Sequence, residues 1–445
     1  MPCRSIRAWA GDGQAPKVGP PRFFWMALAL IVVAAVDGAV ARAADVSGNT
    51  STIPYYYTET LQNKERSYLS LFEFVDVSAN NLGVDHLDIY FSGWGRGDAI
   101  TKIDPKDTAI GDAQLDSLYL KWRDDRSIFE IDAGRKLMTV GAVNEQIDGA
   151  MFQLEPVEQF GIQGFGGVPV FVDYGDHSGA YGYGGRVYAG YRPYFEIGVS
   201  GGAFTVKNSP DRQFVGGDVS VLATPYVDVL GHCYYDFLYS SIFDADGMVV
   251  LRPAADMKVI AEYQREMPAA YLGMNSFFSV FTFNSIDILN GEWRYIAAQR
   301  VLLSAQYNHY EYDYGKPANR YGGSIGPLWG EKRENTVSAG LFKLDRTDNG
   351  YLEGRVYLYQ DIVKKSYLAI DGIYYKLDRK IYNVEQDFVG TGTIGWHVLK
   401  DFDIQASGIY LSSPYYKTDV RGLMKISYNF GTPLQFKPGE TYAKR

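Results

Sequence analysis

Alternation of apolar and polar side chains is the feature of this sequence that most restricts its fold. In Arg421–Phe430, one set of alternate positions is apolar or small and aromatic at its end, and the set between is mostly polar. Neighbouring side chains of a β-strand point to opposite faces, so this segment forms a strand with one apolar face. Similar segments, crowded with Tyr and Phe, recur from about residue 66 to residue 430. The pattern therefore predicts an all-β protein.

The N-terminus has the composition of an export signal. Basic residues precede an apolar run from Phe23 to Val36, and Ala41-Arg42-Ala43 fits the small-x-small pattern of a cleavage site. The run has about 14 residues, whereas a membrane-spanning helix needs roughly 20. We predict that residues 1–43 are a cleaved signal peptide; a retained helical anchor is the alternative.

Charge and cysteine content exclude several classes of protein. Cleavage removes five of the 43 basic and two of the 52 acidic residues, which leaves 38 and 50 and a formal charge of −12. Such a surface disfavours nucleic acid and would favour small cations in a pore. Only Cys233 remains after Cys3 leaves with the signal, so the mature chain has no internal disulfide and no cysteine-based zinc site.

The alternating segments have the length and spacing of membrane strands. Each has about ten residues, enough for a tilted strand to cross the hydrocarbon core, and short polar turns such as Asp124–Arg126 and Lys400-Asp401 join them. Tyr and Trp near segment ends, among them Trp94 and Trp122, match the aromatic girdles of membrane barrels. We predict a transmembrane antiparallel β-barrel of about 16 to 20 strands in the outer membrane. A soluble β-sandwich or solenoid is the alternative, although no short repeat is present.

The chain divides into four predicted segments. A signal peptide (1–43) is followed by a periplasmic lead-in (44–65), the barrel (66–430) and a short tail (431–445). Counting strands between the turns near 299 and 362 gives an odd number, which indicates a missed strand within 313–334. Longer connections are expected near 95–112, 172–184 and 312–334.

The polar strand faces supply the candidate functional residues. Their mixed charges fit either a water-filled lumen or any solvated β face. The pore-lining candidates are Asp88, Lys121, Arg123, Glu130, Asp132, Lys136, Arg186, Asp218, Asp228, Lys258, Glu262, Glu353, Arg355 and Lys425. We expect a loop from 95–112 or 312–334 to narrow the pore.

We find no catalytic or metal-binding pattern in the sequence. Asp228 and His232 share a strand face, but four residues of strand separate them by about 13 Å. His86 and Asp88 are about 7 Å apart by the same count, which is also no relay. The histidines lack ligand spacing, and no hydrolase, zinc-protease or phosphate-loop motif occurs. We therefore predict a non-enzymatic protein without a cofactor or metal.

Two stretches resemble known outer-membrane proteins. Gly422, then alternating apolar residues ending in Tyr428 and Phe430, resembles the terminal signal that the barrel assembly machinery reads, although here Gly431–Arg445 follows it. The strings "LYLKW", "IDAGRKLM", "VNEQIDGAMFQLEP" and "GFGGVPV" between Leu118 and Val170 resemble porin-like outer-membrane proteins of Gram-negative bacteria, of deltaproteobacterial type. Some of these look like the porin partner of porin–cytochrome conduits.

The resemblance implies an outer-membrane channel and leaves two main functions open. The first is a porin for passive diffusion of small polar solutes or ions, with a cation preference. The second is a barrel sheath around a multihaem cytochrome in an electron conduit. A structural or adhesive barrel is a third option. Expected partners are outer-membrane lipid, the assembly machinery and further copies of the chain in a homo-oligomer.

Overall fold

The structure is a computed structural model. It describes residues 45–61, 64–101, 111–170, 179–222, 224–267, 285–313, 315–330, 334–363, 365–414 and 418–431. Both ends of the chain, including the predicted signal peptide and almost all of the predicted tail, lie outside these residues. In the described ranges, no helix is long and apolar enough to cross a membrane.

The described residues form 22 β-strands. The first eleven are β1 (Asp45–Leu61), β2 (Lys64–Asn80), β3 (Leu87–Thr101), β4 (Gly111–Arg123), β5 (Phe129–Val140), β6 (Val143–Val157), β7 (Phe160–Pro169), β8 (Tyr181–Tyr191), β9 (Phe195–Val206), β10 (Ser209–Val221) and β11 (Val227–Asp236). The second eleven are β12 (Ser241–Ala254), β13 (Met257–Glu266), β14 (Ile286–Ala297), β15 (Val301–Tyr312), β16 (Ala318–Trp329), β17 (Asn335–Arg346), β18 (Tyr351–Val363), β19 (Ser366–Ile381), β20 (Val384–Leu399), β21 (Phe402–Ser412) and β22 (Asp419–Phe430).

The strands close into one antiparallel barrel. Each strand pairs with its neighbours in sequence, and β1 pairs with β22, with Thr50 opposite Tyr428. At this seam the hydroxyls of Ser51 and Ser427 lie 2.9 Å apart, and the side-chain amide of Asn49 donates to Asn429 at 2.6 Å. Closure leaves the wall without an edge strand, which a β-structure in lipid requires because no water can satisfy the backbone there.

The two ends of the barrel differ. At the terminal end, where β1 starts and β22 stops, the connections are no longer than 81–86. At the opposite end, which we name the loop end, lie the three longest connections, 102–110, 170–180 and 267–285. The sequence predicted long connections near the first two. The third predicted one, 312–334, is wrong because it contains β16.

The structure confirms the predicted fold class and corrects its details. The barrel has 22 strands where about 16 to 20 were expected. The expected extra strand within 313–334 is present as β16, but the predicted lead-in 44–65 contains β1, a full member of the wall. β1 escaped detection because both of its faces are polar, with Ser47, Asn49 and Ser51 on one and Thr50 and Thr52 on the other.

Candidate functional site: the barrel lumen and its inward hairpin

Exposure separates the outer and inner faces of the wall. One set of alternate positions carries large exposed apolar side chains, such as Val199, Leu341 and Ile394, each more than half exposed. The other set carries charged and polar side chains that form ion pairs across the strands, such as Arg186 with Asp218 and Arg320 with Glu353. The outer face is therefore apolar and the inner face polar, as a membrane barrel requires.

Aromatic side chains form girdles on the outer face. Trp122, Trp293, Trp329 and Trp396 lie toward the terminal end, and tyrosines such as Tyr181 and Tyr263 lie toward the loop end. Trp and Tyr settle at the two headgroup levels, so the girdles bracket the apolar band. Trp94 is a correction: the sequence placed it at a girdle, but it shares a face with Arg96 and points into the lumen.

All fourteen pore-lining candidates lie on inner-face positions of their strands, although their role in a pore stays a prediction. Several form ion pairs with one another or with neighbours. Lys121 and Arg123 both donate to Glu130 at 2.6 Å. Lys136 pairs with Asp132, Arg186 with Asp218, Arg252 with Asp228 at 2.5 Å, Arg320 with Glu353 at 3.0 Å and Arg355 with Asp371 at 2.5 Å. Asp88 accepts the main-chain N–H of Asn81, Glu262 accepts an amide from Asn290, and Lys258 and Lys425 sit on the same face.

The hairpin of β5 and β6 leaves the wall. β4 pairs with β5 only as far as Arg135, and β6 pairs with β7 only from Ile147 onward. Within the described range 111–170, residues 136–146 pair with each other and with no other strand. We call residues 136–147 the lumen hairpin, because its tip contacts the inner face of β9, several strands away.

Two glycines permit this departure. Gly134, where β5 separates from β4, has φ +132°, and a Cβ there would lie 2.2 Å from the carbonyl oxygen of Leu118. Gly141 begins the two-residue turn with φ +57°, and a Cβ there would lie 2.4 Å from the side chain of Ser200. A left-handed first turn residue suits a tight hairpin, and only glycine adopts it here without a clash.

An apolar cluster holds the lumen hairpin against the inner wall of β7–β12. Met138, Val140, Val143 and Ile147 are fully or almost fully buried on its inward face. Their partners are Phe165, Phe204, Phe214, Tyr234 and Phe243, one from each of five strands. Ring centroids in this group lie 6.0 to 6.2 Å apart. Burial of this set is the main attraction that docks the hairpin.

Polar contacts fix the hairpin tip. The main-chain N–H of Ala142 donates to the hydroxyl of Ser200 at 3.0 Å, and Arg212 donates to Glu145 at 2.6 Å. The Arg212 guanidinium also stands 4.7 Å from the ring centroid of Phe204. A cavity of about 250 Å³ lies beside the tip, and its lining includes Ala142, Glu145, Phe204, Arg212, His232 and Asp244.

Side chains seal the seam that the hairpin opens. Beyond Leu118, the β4 edge facing the hairpin has no strand partner within 111–170. Arg135 donates to the carbonyl of Leu115 at 3.2 Å, and the amide of Gln146 donates to that of Asp116. Arg135 is in turn fixed by Asp148 at 2.7 Å. These contacts replace missing ladder hydrogen bonds at a place where unpaired carbonyls would be costly.

A second charged cluster lies on β6 and β8–β10, toward the terminal end. Arg186 donates to Glu196 at 2.7 Å, and Arg192 in the β8–β9 turn donates to Glu155 at 2.7 Å and Glu196 at 2.8 Å. Both guanidinium groups stand within 5 Å of the ring centroid of Tyr188. Burial lowers the pKa of Arg192, but Glu155 and Glu196 raise it by more. The net change is an increase, so Arg192 stays charged.

Acidic and amide side chains form a strip on β12–β14. The amide of Gln264 donates to Asp246 and to Glu262, both at 3.2 Å, and Asn290 donates to Glu262 at 3.1 Å. Asp246 lies opposite His232, which contacts Asp244 at 3.1 Å. Because amides are neutral, they orient these carboxylates without cancelling their charge.

The acid–histidine combinations considered in the sequence do not come together. His232 contacts Asp244 rather than Asp228, and His86 lies 3.6 Å from Asp125 rather than against Asp88. Among the described residues, no group of three or more His, Cys, Asp or Glu side chains is placed to hold a metal ion. Cys233 is exposed on the outer face.

Sequence reasoning missed the lumen hairpin, although a signal for it exists. Up to Gly134 the inward positions are charged, as at Glu130 and Asp132; beyond it they are apolar, from Met138 onward. Alternation lapses across this change, since Arg135 and Lys136 are both charged and Leu137 and Met138 are both apolar. An inversion of polarity on one face, following a glycine, would have indicated a strand that leaves the wall.

Solved structures show a similar backbone. The copper transporter OprC matches with a TM-score of 0.51 and 12% identity, over 87% of this chain and 80% of that chain. The ferric enterobactin receptor PfeA, in complex with BCV-L6, matches with 0.52 and 8%, over 87% and 81%. The P pilus usher PapC translocation pore matches with 0.48 and 10%, over 87% and 99%. No family model matches the chain, and no curated protein matches it. At these identities the likeness shows the fold alone, a large membrane-embedded β-barrel.

Proposed function

We propose that this protein is an outer-membrane channel for passive diffusion of small polar solutes or ions. The observation that carries the proposal is the closed 22-stranded wall, apolar outside and charged inside. Twenty-two strands about 4.8 Å apart and tilted by about 40° enclose a backbone cylinder roughly 44 Å across. A lumen of that width lined by charged groups holds water. The fold of OprC and PfeA is consistent with this setting in a Gram-negative outer membrane.

The lumen hairpin narrows the channel. The expected constriction 312–334 is wall strand β16, and part of 95–112 belongs to β3 and β4, the remainder lying outside the described residues. The lumen hairpin covers the inner face of β7–β12, about a quarter of the wall. Solutes therefore pass along the remaining wall, past β13–β22 and β1–β4.

The acidic strip supports a cation preference. Asp246 on β12 and Glu262 on β13 accept amide hydrogens at the border between the wall that the hairpin covers and the wall that it leaves open. Among the described residues neither carboxylate forms an ion pair with Lys or Arg, and such carboxylates raise the local concentration of cations. We expect Asp246→Asn with Glu262→Gln to shift the reversal potential in a KCl gradient toward zero. Glu311→Gln, on the outer face of β15, removes an acid without touching the lumen and should leave selectivity unchanged.

The deciding experiment is the conductance of the purified mature protein in a planar bilayer. Stable ohmic openings that favour cations support the proposal. A correctly inserted but electrically silent barrel refutes it and favours the sheath for a multihaem cytochrome, which haem copurification would then test. The proposal also includes the predicted export signal and a homo-oligomer. It further includes recognition of Gly422, Tyr428 and Phe430 by the assembly machinery. On β22, Tyr428 faces outward and Phe430 is the last residue.

A further inference from the structure

Aromatic side chains form three groups along the inner wall of β1–β4. Tyr57 and Tyr68 stack at 4.7 Å between centroids near the loop end. Phe72 lies 6.4 Å from both Phe74 and Trp94. We name these rings, with Tyr90 and Tyr119, the aromatic track; the last two stack at 4.9 Å near the terminal end.

The track spans most of the barrel. Tyr68, Phe72 and Phe74 lie on β2 itself, and Tyr90 lies opposite Ser78 of that strand. Ten residues separate Tyr68 from Ser78, which is about 33 Å at the rise of a β-strand. With strands tilted by about 40°, the rings therefore extend over about 25 Å of the path along which a solute crosses the membrane.

The rings of the track are accessible to solute, unlike the other large group of inward aromatics. Phe165, Phe204, Phe214 and Phe243 are buried under the lumen hairpin. Every ring of the track is only partly buried, and the hairpin lies over β7–β12 instead. The hairpin reaches the track only through Lys136, whose ammonium stands 5.1 Å from the ring centroid of Tyr119 on β4. The rings on β1–β3 are therefore left open to lumen water.

Hydrogen-bonding side chains border the track. Ser70 donates to Asp98 at 2.7 Å, Arg96 donates to Asp98 at 3.1 Å, and the Arg96 guanidinium stands 5.5 Å from the centroid of Phe72. Between the ring pairs lies a polar row of Asn49, Asp76, Ser92 and Ser117. Apolar rings beside fixed donors and acceptors present a surface that is both flat and polar-rimmed.

We propose that the aromatic track binds linear oligosaccharides and guides them through the lumen. A pyranose ring has apolar C–H faces, which stack on aromatic rings, and a rim of hydroxyls, which the bordering carboxylates, guanidinium and amides can bond. A small ion does not stack on aromatic rings, and the polar row would disfavour binding of a wholly apolar solute. This inference rests on the proposed channel, because it names what the channel carries.

Trp94 provides a reporter inside the track. After loss of the signal peptide five tryptophans remain, and the other four lie on the outer face. Titration of the detergent-solubilised protein with maltohexaose or cellohexaose should give a saturable change in tryptophan fluorescence. Glucose should bind at least tenfold more weakly than a hexaose, since a single pyranose can contact only a small part of the track. Trp94→Phe should abolish the signal.

Variants with Trp94 retained test the site. Phe74→Ala and Tyr90→Ala should weaken hexaose binding by about three- to tenfold each, the range that loss of one ring contact produces. Phe74→Leu keeps an apolar side chain of moderate size in case Phe74→Ala fails to fold. Tyr410→Ala, which removes an outer-face ring, is the matched control. The inference is wrong if neither hexaose gives a saturable change, or if Phe74 variants bind like Tyr410→Ala.

The channel and the track fail in different ways. A barrel that conducts ions but binds neither hexaose refutes the track alone. A barrel that binds a hexaose but passes no current refutes the channel and leaves the binding site standing.

Discussion

Docking of the lumen hairpin can be tested by placing a charge on its buried face. Burial of Met138, Val140, Val143 and Ile147 contributes about 1.5–3 kcal/mol for each side chain. Ordering the hairpin opposes this gain, so the net docking free energy is smaller than the sum over the four side chains. One charged substitution at the centre of the cluster should therefore release the hairpin.

Val140→Asp provides that substitution. Losing the valine costs about 1.5–3 kcal/mol. Taking up a proton at pH 8, from an ordinary aspartate pKa near 3.9, costs about 5.6 kcal/mol, which is 1.36 kcal/mol for each of roughly 4 pH units. The total of about 7 kcal/mol or more exceeds what docking can supply, and we expect the hairpin to leave the cluster. Thr139→Asp adds the same charge at the adjacent exposed position, and we expect the hairpin of this variant to stay docked.

Disulfide trapping measures the docked fraction. Ala142→Cys and Ser200→Cys, in a Cys233→Ser background, join two positions whose main-chain N–H and hydroxyl lie 3.0 Å apart. Under mild oxidation at pH 8 the pair should cross-link with Thr139→Asp and almost fail to cross-link with Val140→Asp. Equal yields in the two variants would show that apolar burial does not hold the hairpin.

Three further substitutions test the contacts around the hairpin and the wall. Arg212→Met leaves Glu145 without its cation, so cross-linking between positions 142 and 200 should fall several-fold, and adding Glu145→Gln should restore most of it. Gly134→Ala forces a clash with β4 and should lower the fraction that migrates as folded in unheated gels; Gly392→Ala, where a Cβ meets nothing within 4 Å, should not. Arg320→Met strips the almost fully buried Glu353 of its two guanidinium contacts at 3.0 and 3.1 Å, and should cost about 3–5 kcal/mol. Urea titration of the folded barrel checks that loss, and a change below about 1 kcal/mol would contradict it.

The architecture could be predicted from the sequence because period-2 alternation determines which face each side chain occupies. On β4 the strand register places Leu118, Leu120 and Trp122 on one face, and Lys121 and Arg123 on the other, as the alternation predicts. Strand counting failed where that contrast is weak. β12 carries Ala245 and Gly247 outside, and both are too small to mark an apolar face.

The partners of the charged residues could not be predicted from alternation. The sequence places Glu353 and Arg355 together on one face, yet in the structure each pairs across strands, with Arg320 and Asp371. Those pairings depend on the register between strands, which turn lengths and bulges set and which a single sequence does not display. Faces were therefore predictable, whereas neighbours were not.

Phenylalanine side chains on the inner wall have two different roles, and the position of the lumen hairpin determines which role each one has. Phe204 and Phe214 face inward as Phe72 and Phe74 do, but the hairpin converts the former into a dry core and leaves the latter wet. Release of the hairpin by Val140→Asp would therefore expose a second aromatic surface to solute on the opposite wall. Binding reported by Trp94 should persist in that variant, because among the described residues the track meets the hairpin at Lys136 and Tyr119 rather than at the apolar cluster. Weak additional hexaose sites without a change at Trp94 would show that the two aromatic groups act independently.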